Sequence, residues 1–341
     1  MSEPLHFDHA ATTPVLPQAR EAWLEGVRTW ANPSSPHAAG RAARAALENA
    51  RARISAALGW QGEVILTSGA SEAAALAVVR CVMPLAAVSL VEHDAVLRYA
   101  GEASRLPVSA EGQVDPASCA VSGLVAVQHV NNETGVIQSM GTVAAHVRAA
   151  GGVLLADCAQ SAGKIALPDA DLIALSGHKF GAPVGIGALL VRDWALLRPV
   201  GGQERGYRPG TENLPGAMAM AAALEAGADW MKQAAELRAM LETGIEAAGG
   251  VAVAKGAPRI ATIGAFRMPG RSARAQLIRF DAMGIAVSAG SACSSGSLKP
   301  SHVLTAMGQV GADEIIRVSL GRESSAADVS LFVAAWQEIA A

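Results

Sequence analysis

A lysine at the end of an apolar segment is the first candidate for chemistry in this chain. The segment 171–181, DLIALSGHKFG, has the pattern of a buried strand that ends in Ser176, His178 and Lys179 and is followed by glycine. Burying a lysine is costly unless its charge is used or its amine is kept neutral. A neutral amine is a good partner for an aldehyde cofactor, with which it forms a Schiff base. A strand-end lysine that points into solvent explains this segment alone equally well.

A carboxylate at the end of a second apolar segment favours the cofactor. The segment 152–160, GVLLADCAQ, delivers Asp157 to the C-terminal end of a predicted strand. Ligands of open α/β sheets bind at the carboxyl ends of strands, and a carboxylate there can pair with the protonated nitrogen of a pyridine ring. Alone, an aspartate after a strand is usually a turn residue or a helix cap. Together with Lys179, Asp157 indicates a cofactor site.

A third segment, 65–74 or ILTSGASEAA, has the pattern of a phosphate site. A predicted strand turns through Gly69 into an alanine-rich helix, and Ser71 can add a hydroxyl group. The N–H groups and the dipole at the start of such a helix attract an anion. A capping box, in which Ser68 or Ser71 caps the helix, is the stronger interpretation of this segment alone.

One of the four cysteines lies in a setting typical of reactive thiols. Cys293 belongs to the segment 286–298, AVSAGSACSSGSL, a loop of glycine, serine and alanine with no large apolar neighbour. Reactive cysteines are partly exposed among polar groups, and a Gly/Ser loop is able to move a thiolate toward a substrate. An incidental surface cysteine is the weaker alternative. Cys81, Cys119 and Cys158 lack such a loop and are expected to be structural.

Composition excludes several classes of protein. The chain has 341 residues, half of them apolar, and a net charge of −3, which predicts a large core and more than one domain. No basic run indicates a nucleic-acid or membrane-surface partner, and no apolar run approaches the ~18 residues of a membrane span. The N-terminus lacks the pattern of a secretory signal. Four scattered cysteines argue against a disulfide framework or structural zinc site, so a reduced, cytoplasmic protein is expected.

Apolar runs alternate with helical patterns along most of the chain. Strands are expected at 63–67, 86–91, 124–130, 152–156, 171–175 and 186–191, with helices near 71–82, 94–104 and 141–150. This alternation predicts an α/β layered domain with a largely parallel sheet. A long helix over about 214–248 is expected as a connector. Beyond it, two or three strands and helices at 271–283 and 325–339 predict a smaller α+β lobe.

Ten segments, in order and spread over nearly the whole chain, resemble the cysteine desulfurases of the NifS/IscS group, within the class V aminotransferase family. One such match is weak, whereas ten in the same order are specific. They are DHAATTP at 8–14, NPSSPH at 32–37, TSGASE at 67–72, EHDAV at 92–96, HVNNETG at 129–135, DCAQS at 157–161, SGHK at 176–179, GGQERGYRPGTEN at 201–213, GSACSS at 290–295 and IRVSLG at 316–321.

The resemblance implies a fold and an activity. The fold is the type I fold of transferases that depend on pyridoxal 5'-phosphate (PLP). It has a large PLP-binding domain at 15–245, with a mostly parallel seven-stranded sheet flanked by helices, and a small α+β domain at 1–14 and 246–341 that carries the cysteine loop. The activity is removal of sulfur from L-cysteine, giving L-alanine and a persulfide on Cys293. A cytoplasmic homodimer would pass this sulfur to an acceptor protein of iron–sulfur cluster assembly or tRNA thiolation.

The resemblance also implies roles for matched residues. Lys179 would hold PLP and move the substrate α-proton, Asp157 would pair with the ring nitrogen, and His93 would stack on the ring and assist proton transfer. The ring hydroxyl would be held by Gln160 and Asn132, and the phosphate by Ala70, Ser71, Ser176, His178 and, from the partner subunit of the homodimer, Thr211. The substrate would be bound by Arg317, which clamps its carboxylate, with Asn132 and Asn32 nearby. No resident metal site is expected; transient ligation of an iron–sulfur cluster by Cys293 stays open.

The chain departs from the family pattern in several places. GAPVG at 181–185 replaces a common YGPKG stretch, Ser71 stands where threonine is common, and Pro209 replaces a serine. The C-terminal extension that helps to engage a scaffold protein is expected to be short or absent. Three alternatives therefore stay open: a selenocysteine lyase, another enzyme of the aminotransferase class, and a catalytically weakened sulfur carrier or assembly partner. The thiol at Cys293 disfavours an aminotransferase, and the joint presence of the site residues disfavours a weakened protein.

Overall fold

A computed structural model of the protein describes residues 5–290 and 301–341. The strands in these ranges are β1 (Leu5–His6), β2 (Glu63–Thr67), β3 (Leu85–Ser89), β4 (Ser104–Leu106), β5 (Leu124–Gln128), β6 (Val153–Asp157), β7 (Leu172–Ser176), β8 (Gly187–Val191), β9 (Val251–Ala252), β10 (Ile263–Arg267), β11 (Ile285–Ala286) and β12 (Ile315–Ser319). The six strands expected from the sequence match β2, β3 and β5 to β8 to within two residues at each end.

The α-helices in the same ranges are α1 (Pro17–Arg28), α2 (Ala38–Leu58), α3 (Ala70–Arg80), α4 (Asp94–Leu97), α5 (Met140–Ala149), α6 (Leu214–Glu225), α7 (Met231–Ala247), α8 (Ala273–Ala282), α9 (His302–Ala306) and α10 (Ala326–Ala340). None of the helices in the described part of the chain is both long enough and apolar enough to cross a membrane.

A seven-stranded sheet within the described residues forms the centre of the molecule. Its strand order is β2-β8-β7-β6-β5-β3-β4, and only β8 runs antiparallel to its neighbours. The mostly parallel seven-stranded sheet implied by the resemblance is therefore confirmed. Every residue of β5 to β8 is buried, as expected for strands that are covered on both faces.

Helices cover both faces of this sheet. The alternation of side chains along a strand divides the buried residues into two layers: in β2, Val64 and Leu66 face a cluster that includes α2, α5 and α6, whereas Ile65 faces a cluster that includes α3 and α4. This arrangement exposes the carboxyl ends of the parallel strands along one edge of the sheet.

A separate aromatic core lies under the C-terminal part of the chain. Phe266 of β10, Phe280 of α8 and both Phe332 and Trp336 of α10 form its centre, and the rings of Phe280 and Phe332 stack with centroids 5.0 Å apart. A three-stranded antiparallel sheet, β12-β10-β9, packs against it. Helices α8 and α10 match the expected helices of the smaller lobe. The division at residues 14/15 and 245/246 stays a prediction.

The prediction of a single connecting helix over 214–248 is wrong. The segment forms two helices, because α6 ends at Glu225 and Gly227 adopts a left-handed conformation with φ of 71° before α7 begins. The two helices belong to different cores: α6 is buried against the large sheet, whereas α7 contributes Leu237 and Leu241 to the aromatic core. The helix expected at 94–104 is also wrong in length, since α4 is a single turn.

Gly187 allows the strand β8 to approach the loop at the end of β2. A Cβ atom at this position would lie 2.5 Å from the carbonyl oxygen of Leu175 and 2.6 Å from Cα of Gly69. We expect Gly187→Ala to reduce the free energy of unfolding by about 1–3 kcal/mol, because backbone atoms on both sides must move. The measurement is urea denaturation followed by circular dichroism.

A matched control is Gly141→Ala in α5, where a Cβ atom would meet nothing within 4 Å. This change should leave the free energy of unfolding unchanged or raise it by roughly 0.5–1 kcal/mol, since alanine favours helix over glycine. Equal effects of the two substitutions would contradict the close approach inferred at Gly187.

Candidate active site

A cavity of about 350 Å³ opens at the carboxyl ends of the parallel strands. Its wall includes Gln128 from the end of β5, Asp157 from β6 and Ser176 from β7. Ten of the predicted site residues line it: Ala70, Ser71, His93, Asn132, Asp157, Gln160, Ser176, His178, Lys179 and Arg317. The volume falls within the range of small-molecule sites, and its position follows the rule for ligands of open α/β sheets.

Lys179 follows β7 on a short turn and directs its amine toward the N-terminal segment. Its Nζ donates hydrogen bonds to the carbonyl oxygens of Ala10 at 2.7 Å and Ala11 at 2.8 Å. The hydroxyl of Thr13 donates in turn to the carbonyl oxygen of Lys179 at 3.1 Å. Residues 8–14 were recognised as a matched segment, but no role was predicted for Ala10 or Ala11, because a backbone acceptor leaves no signal in the side-chain type.

Asp157 is a buried carboxylate at the end of β6. Burial raises its pKa, against the hydrogen bond from the backbone N–H of Ala159 at 2.9 Å and the positive charges of His93 and Lys179, which lower it. A carboxylate in this environment is stabilised by a further cationic partner. The protonated ring nitrogen of PLP is such a partner.

Gln160 offers the clearest sign of an additional ligand. Its Nε2 donates to the carbonyl oxygen of Ala10 at 2.9 Å. Its Oε1 is buried and accepts no hydrogen bond from any described residue. Buried polar atoms are rarely left without a partner, and Gln160 lines the cavity. A ligand with a donor group therefore fits this wall.

The start of α3 presents backbone amides to the same cavity. No side chain of a described residue caps this helix, whose N-cap position is Gly69; the capping box with Ser68 or Ser71 as the cap is therefore not observed. Instead, Glu72 accepts a hydrogen bond from the backbone N–H of Ser68 at 2.6 Å. Ala70 and Ser71 line the cavity at this helix start, where an anion is favoured.

His178 completes the polar wall next to Ser176. Burial, and then the charge of Lys179, lowers the pKa of His178 to about 4, so its imidazole is neutral at pH 7. Its Nδ1 lies 3.3 Å from the hydroxyl oxygen of Thr12. A neutral ring can donate one hydrogen bond to an anion without adding a charge.

His93 has a structural role at the start of α4 in addition to its position at the cavity. It is the N-cap residue of α4, where its Nδ1 accepts a hydrogen bond from the backbone N–H of Ala95 at 3.1 Å. This bond assigns the proton of a neutral ring to Nε2. The same side chain lines the cavity.

Arg317 brings a cation from β12 to the cavity. Its Nη2 binds the carboxylate of Asp8 at 2.7 Å, and its Nη1 donates to the carbonyl oxygen of Asn132 at 2.9 Å. Its Nε is buried and has no hydrogen-bond partner among the described residues. The guanidinium is thus fixed in orientation and keeps a donor for a substrate carboxylate.

Two predicted site residues lie outside the cavity of their own chain. Asn32 is exposed, and its Oδ1 accepts a hydrogen bond from the backbone N–H of Ser34 at 2.9 Å. Thr211 is exposed and lines a separate cavity of about 40 Å³ that includes Ser68 and Gly185. Ser68 and Gly185 also line the large cavity, so the two cavities adjoin at these residues.

The predicted nucleophile Cys293 lies outside the described residues. Two contacts involve described residues near the ends of the range 291–300: the backbone of Ser288 pairs with that of Arg317, which lines the cavity, and the hydroxyl of Ser301 donates to the buried carboxylate of Glu133 at 2.6 Å. The three described cysteines are buried, as expected for structural residues, and burial raises the pKa of each thiol.

A buried glutamate beside His93 was not predicted. Glu92 is fully buried; its Oε1 accepts a hydrogen bond from the backbone N–H of Gln128 at 2.6 Å, and its Oε2 has no partner in the described part of the chain. Burial raises its pKa to about 8, with a further contribution from the charge of Asp157. The only signal in the sequence was the position of Glu92 in the matched segment 92–96.

Comparison with known proteins places this site in context. The family described as aminotransferase class V matches residues 5–332. A cysteine desulfurase of Rhodobacter capsulatus is 35% identical over an alignment that covers 100% of this chain and 98% of the relative. An IscS-like cysteine desulfurase of Mycobacterium tuberculosis is 35% identical, covering 95% and 93%. The solved structure of a NifS-like protein from Rickettsia africae is 27% identical, with a TM-score of 0.89 over 99% of both chains.

The raised pKa of Glu92 predicts a pH-dependent stability. The folded chain keeps a proton on Glu92 up to about pH 8, whereas an unfolded glutamate loses it near 4.5. The protein should therefore lose stability relative to Glu92→Gln as the pH rises through this window, by up to about 1.4 kcal/mol per pH unit. Urea unfolding of both proteins at pH 5, 6.5 and 8 measures the difference.

The control is Glu102→Gln, which changes an exposed glutamate. This substitution should give no comparable trend with pH. A constant difference between the protein and Glu92→Gln over the same window would show that Glu92 is ionised in the folded state.

Proposed function

The chain belongs to the class V aminotransferase family, within its cysteine desulfurase group, and on this premise we propose how its cavity removes sulfur from L-cysteine. The enzyme is a cysteine desulfurase that releases L-alanine. The observation that carries this function is the meeting of three residues in one cavity: Asp157 from the end of β6, Lys179 from the turn after β7, and Arg317 from the middle of β12.

The residues of the cavity fit PLP. Lys179 would hold its aldehyde carbon, Asp157 its ring nitrogen and Gln160 its ring hydroxyl, while the start of α3 would bind its phosphate together with Ser176 and His178. The unpartnered Oε1 of Gln160 and the uncapped amides of α3 support this assignment. Bound PLP supplies an aldehyde for amines and a ring that withdraws electrons from the substrate α-carbon.

The side chains of this protein then orient the substrate and move its protons. Arg317 binds the carboxylate of cysteine through its Nε, and Asp8 and Asn132 keep the guanidinium in position. The Nζ of Lys179 takes the proton of the substrate α-carbon. His93 assists this transfer from its position at the start of α4.

Sulfur transfer requires a thiolate, which we assign to Cys293. Its sulfur attacks the sulfur of cysteine, and the bond between that sulfur and the β-carbon breaks. The electron pair of the broken bond stays with the carbon, which takes a proton on the way to alanine. Cys293 keeps the extra sulfur as a persulfide and passes it to an acceptor protein, of iron–sulfur cluster assembly or tRNA thiolation.

Substitution of the two nucleophiles separates cofactor binding from sulfur transfer. Lys179→Ala should lose the yellow absorbance of covalently bound PLP. Its rate of alanine formation should fall by a factor of about 1000 or more. Cys293→Ser should keep the absorbance and its change on addition of cysteine, but should release no sulfide. The measurement is a single-turnover reaction with mass spectrometry of the peptide that contains residue 293.

The matched control is Cys119→Ser, which changes a buried thiol whose pKa is raised to about 11 by burial. It should keep both the absorbance and sulfide release. A Cys293→Ser enzyme as active as the unchanged protein would refute the persulfide step, and a chain that stays colourless with added PLP would refute the cofactor.

We also propose that the enzyme is a homodimer in which Thr211 serves the cavity of the other subunit. Helix α1 and the residues after it expose a row of large apolar side chains, including Trp23, Leu24, Val27 and Trp30. Val184, at the mouth of the cavity, is 82% exposed. Large apolar side chains exposed within one short segment support an interaction surface there.

A mixed dimer tests the placement of Thr211. Lys179→Ala and Thr211→Val each impair the homodimer. In the mixed dimer, the cavity of the Thr211→Val chain keeps its own Lys179 and receives Thr211 of the partner subunit, so mixing the two variants should restore up to half of the activity. The measurement is alanine formation by tagged, purified mixed dimers.

If Thr211 serves its own chain instead, the mixed dimer has one cavity without lysine and one without threonine, and its activity should not exceed half that of the Thr211→Val homodimer. A mixed dimer of Lys179→Ala with Asp157→Asn provides the reference. Both residues line the same cavity of one chain, so each cavity of this dimer lacks one of them and no activity should be restored.

A further inference from the structure

A second, much smaller cavity lies on the far side of the segment that holds Lys179. This rear cavity has a volume of about 10 Å³, and its wall includes His9, Ala10, Lys164, Lys179, Trp230 and Thr262. Ala10 and Lys179 line the large cavity as well. The volume is sufficient for one water molecule.

Several buried polar atoms of this wall have no partner among the described residues. They are Nδ1 of His9, Oγ1 of Thr262 and Nε1 of Trp230. His9 is 8% exposed and Thr262 is 2% exposed, so bulk solvent does not satisfy them. Buried polar groups are nearly always hydrogen-bonded. Because these three atoms lack partners and belong to residues that line one small cavity, we infer an ordered water molecule there.

Lys164 is the unusual member of this cluster. It is 7% exposed, and its amine makes no hydrogen bond or ion pair with a described residue. The charges that act on it come from Lys179 and from Arg317 on β12, both of them cations; Arg322 also lines the cavity. Burial, and then repulsion by Lys179 and Arg317, lowers the pKa of Lys164 to about 7.

His9 does not offset these positive charges. Burial, and then the charge of His6, lowers its pKa to about 4, so the imidazole is neutral near pH 7. The amine of Lys164 is therefore poised to gain or lose a proton at neutral pH, next to the residue that takes the α-proton of the substrate. The mechanism proposed above makes no use of Lys164.

We propose that Lys164 exchanges protons with Lys179 through one water molecule held in the rear cavity by His9 and Thr262. The inference rests on the proposed desulfurase function. The charged Lys179 gives a proton to the water, and the water gives one of its own protons to the neutral amine of Lys164. The reverse transfers return it, so no proton is gained or lost overall. Lys164 acts through Lys179 and touches neither substrate nor cofactor.

Deuterium placed on the substrate α-carbon reports this exchange. With cysteine deuterated at that carbon, Lys179 receives deuterium, which leaves for solvent by way of Lys164 before alanine forms. Mass spectrometry of alanine from the unchanged protein should therefore show little retained deuterium, whereas Lys164→Met should retain at least three times more. Lys232→Met, which changes an exposed lysine of α7, should match the unchanged protein.

Two further variants separate proton exchange from charge and packing. Lys164→Arg keeps a cation that does not deprotonate, so it should retain deuterium as Lys164→Met does. Thr262→Val keeps Lys164 and the shape of residue 262 but removes a ligand of the water, and it should give intermediate retention. The proposal would be overturned if Lys164→Arg retained as little deuterium as the unchanged protein. It would also be overturned if neither Thr262→Val nor Lys164→Met changed the retained deuterium.

A measurement on the protein without cofactor and substrate is independent of the reaction. Because Lys164 is neutral in the folded chain and protonated when unfolded, unfolding at pH 8.5 should take up about one more proton per chain in the unchanged protein than in Lys164→Met. The slope of the unfolding free energy against pH gives this number. Equal slopes would overturn the inference about Lys164 alone, whereas absence of alanine with a normal slope would overturn the desulfurase function.

Discussion

The segment from Phe7 to Thr13 is the constraint on which the site depends. Its carbonyl oxygens at Ala10 and Ala11 hold the amine of Lys179, and the carbonyl oxygen of Ala10 also holds Gln160. Asp8 binds Arg317 across the same space. Without this segment, the lysine at the end of β7 and the arginine of β12 would have no common wall. A polar backbone thus provides the acceptors that keep two cations beside an apolar sheet.

Groups of both signs line the large cavity. The carboxyl group of Asp157 is buried, and burial raises its pKa, whereas Lys179 and Arg317 bring cations to the same cavity. A ligand with a cationic ring nitrogen and an anionic carboxylate complements these groups. Oε1 of Gln160 and Nε of Arg317 are buried and have no hydrogen-bond partner among the described residues, which agrees with such a ligand.

The sequence predicted the sheet well and its coverings less well. Strands β5 to β8 are continuous apolar runs bounded by glycine or polar residues, which is the pattern of fully buried parallel strands. Helices α1 and α2 were not predicted, because their apolar stripe is diluted by alanine and arginine. The helix expected at 214–248 failed at Gly227, because helical propensity does not show that two halves of a segment pack on different cores. Ten of the 21 residues that line the large cavity were predicted as site residues. Backbone acceptors such as Ala10, and buried atoms without a hydrogen-bond partner such as Nε of Arg317, become visible only in three dimensions. The roles of all the predicted site residues, including Asn32 and Thr211, stay predictions.

The pairing of segment 7–10 with β12 also bears on the order of events during biosynthesis. The hydroxyl of Ser319 accepts a hydrogen bond from the backbone N–H of Ala10 at 2.9 Å, and these residues are 309 positions apart in the chain. The ribosome must therefore make almost the entire polypeptide before the wall behind Lys179 can close. A contact of such long range forms late, so the surroundings of Lys179 are completed only after nearly all of the chain has been synthesised.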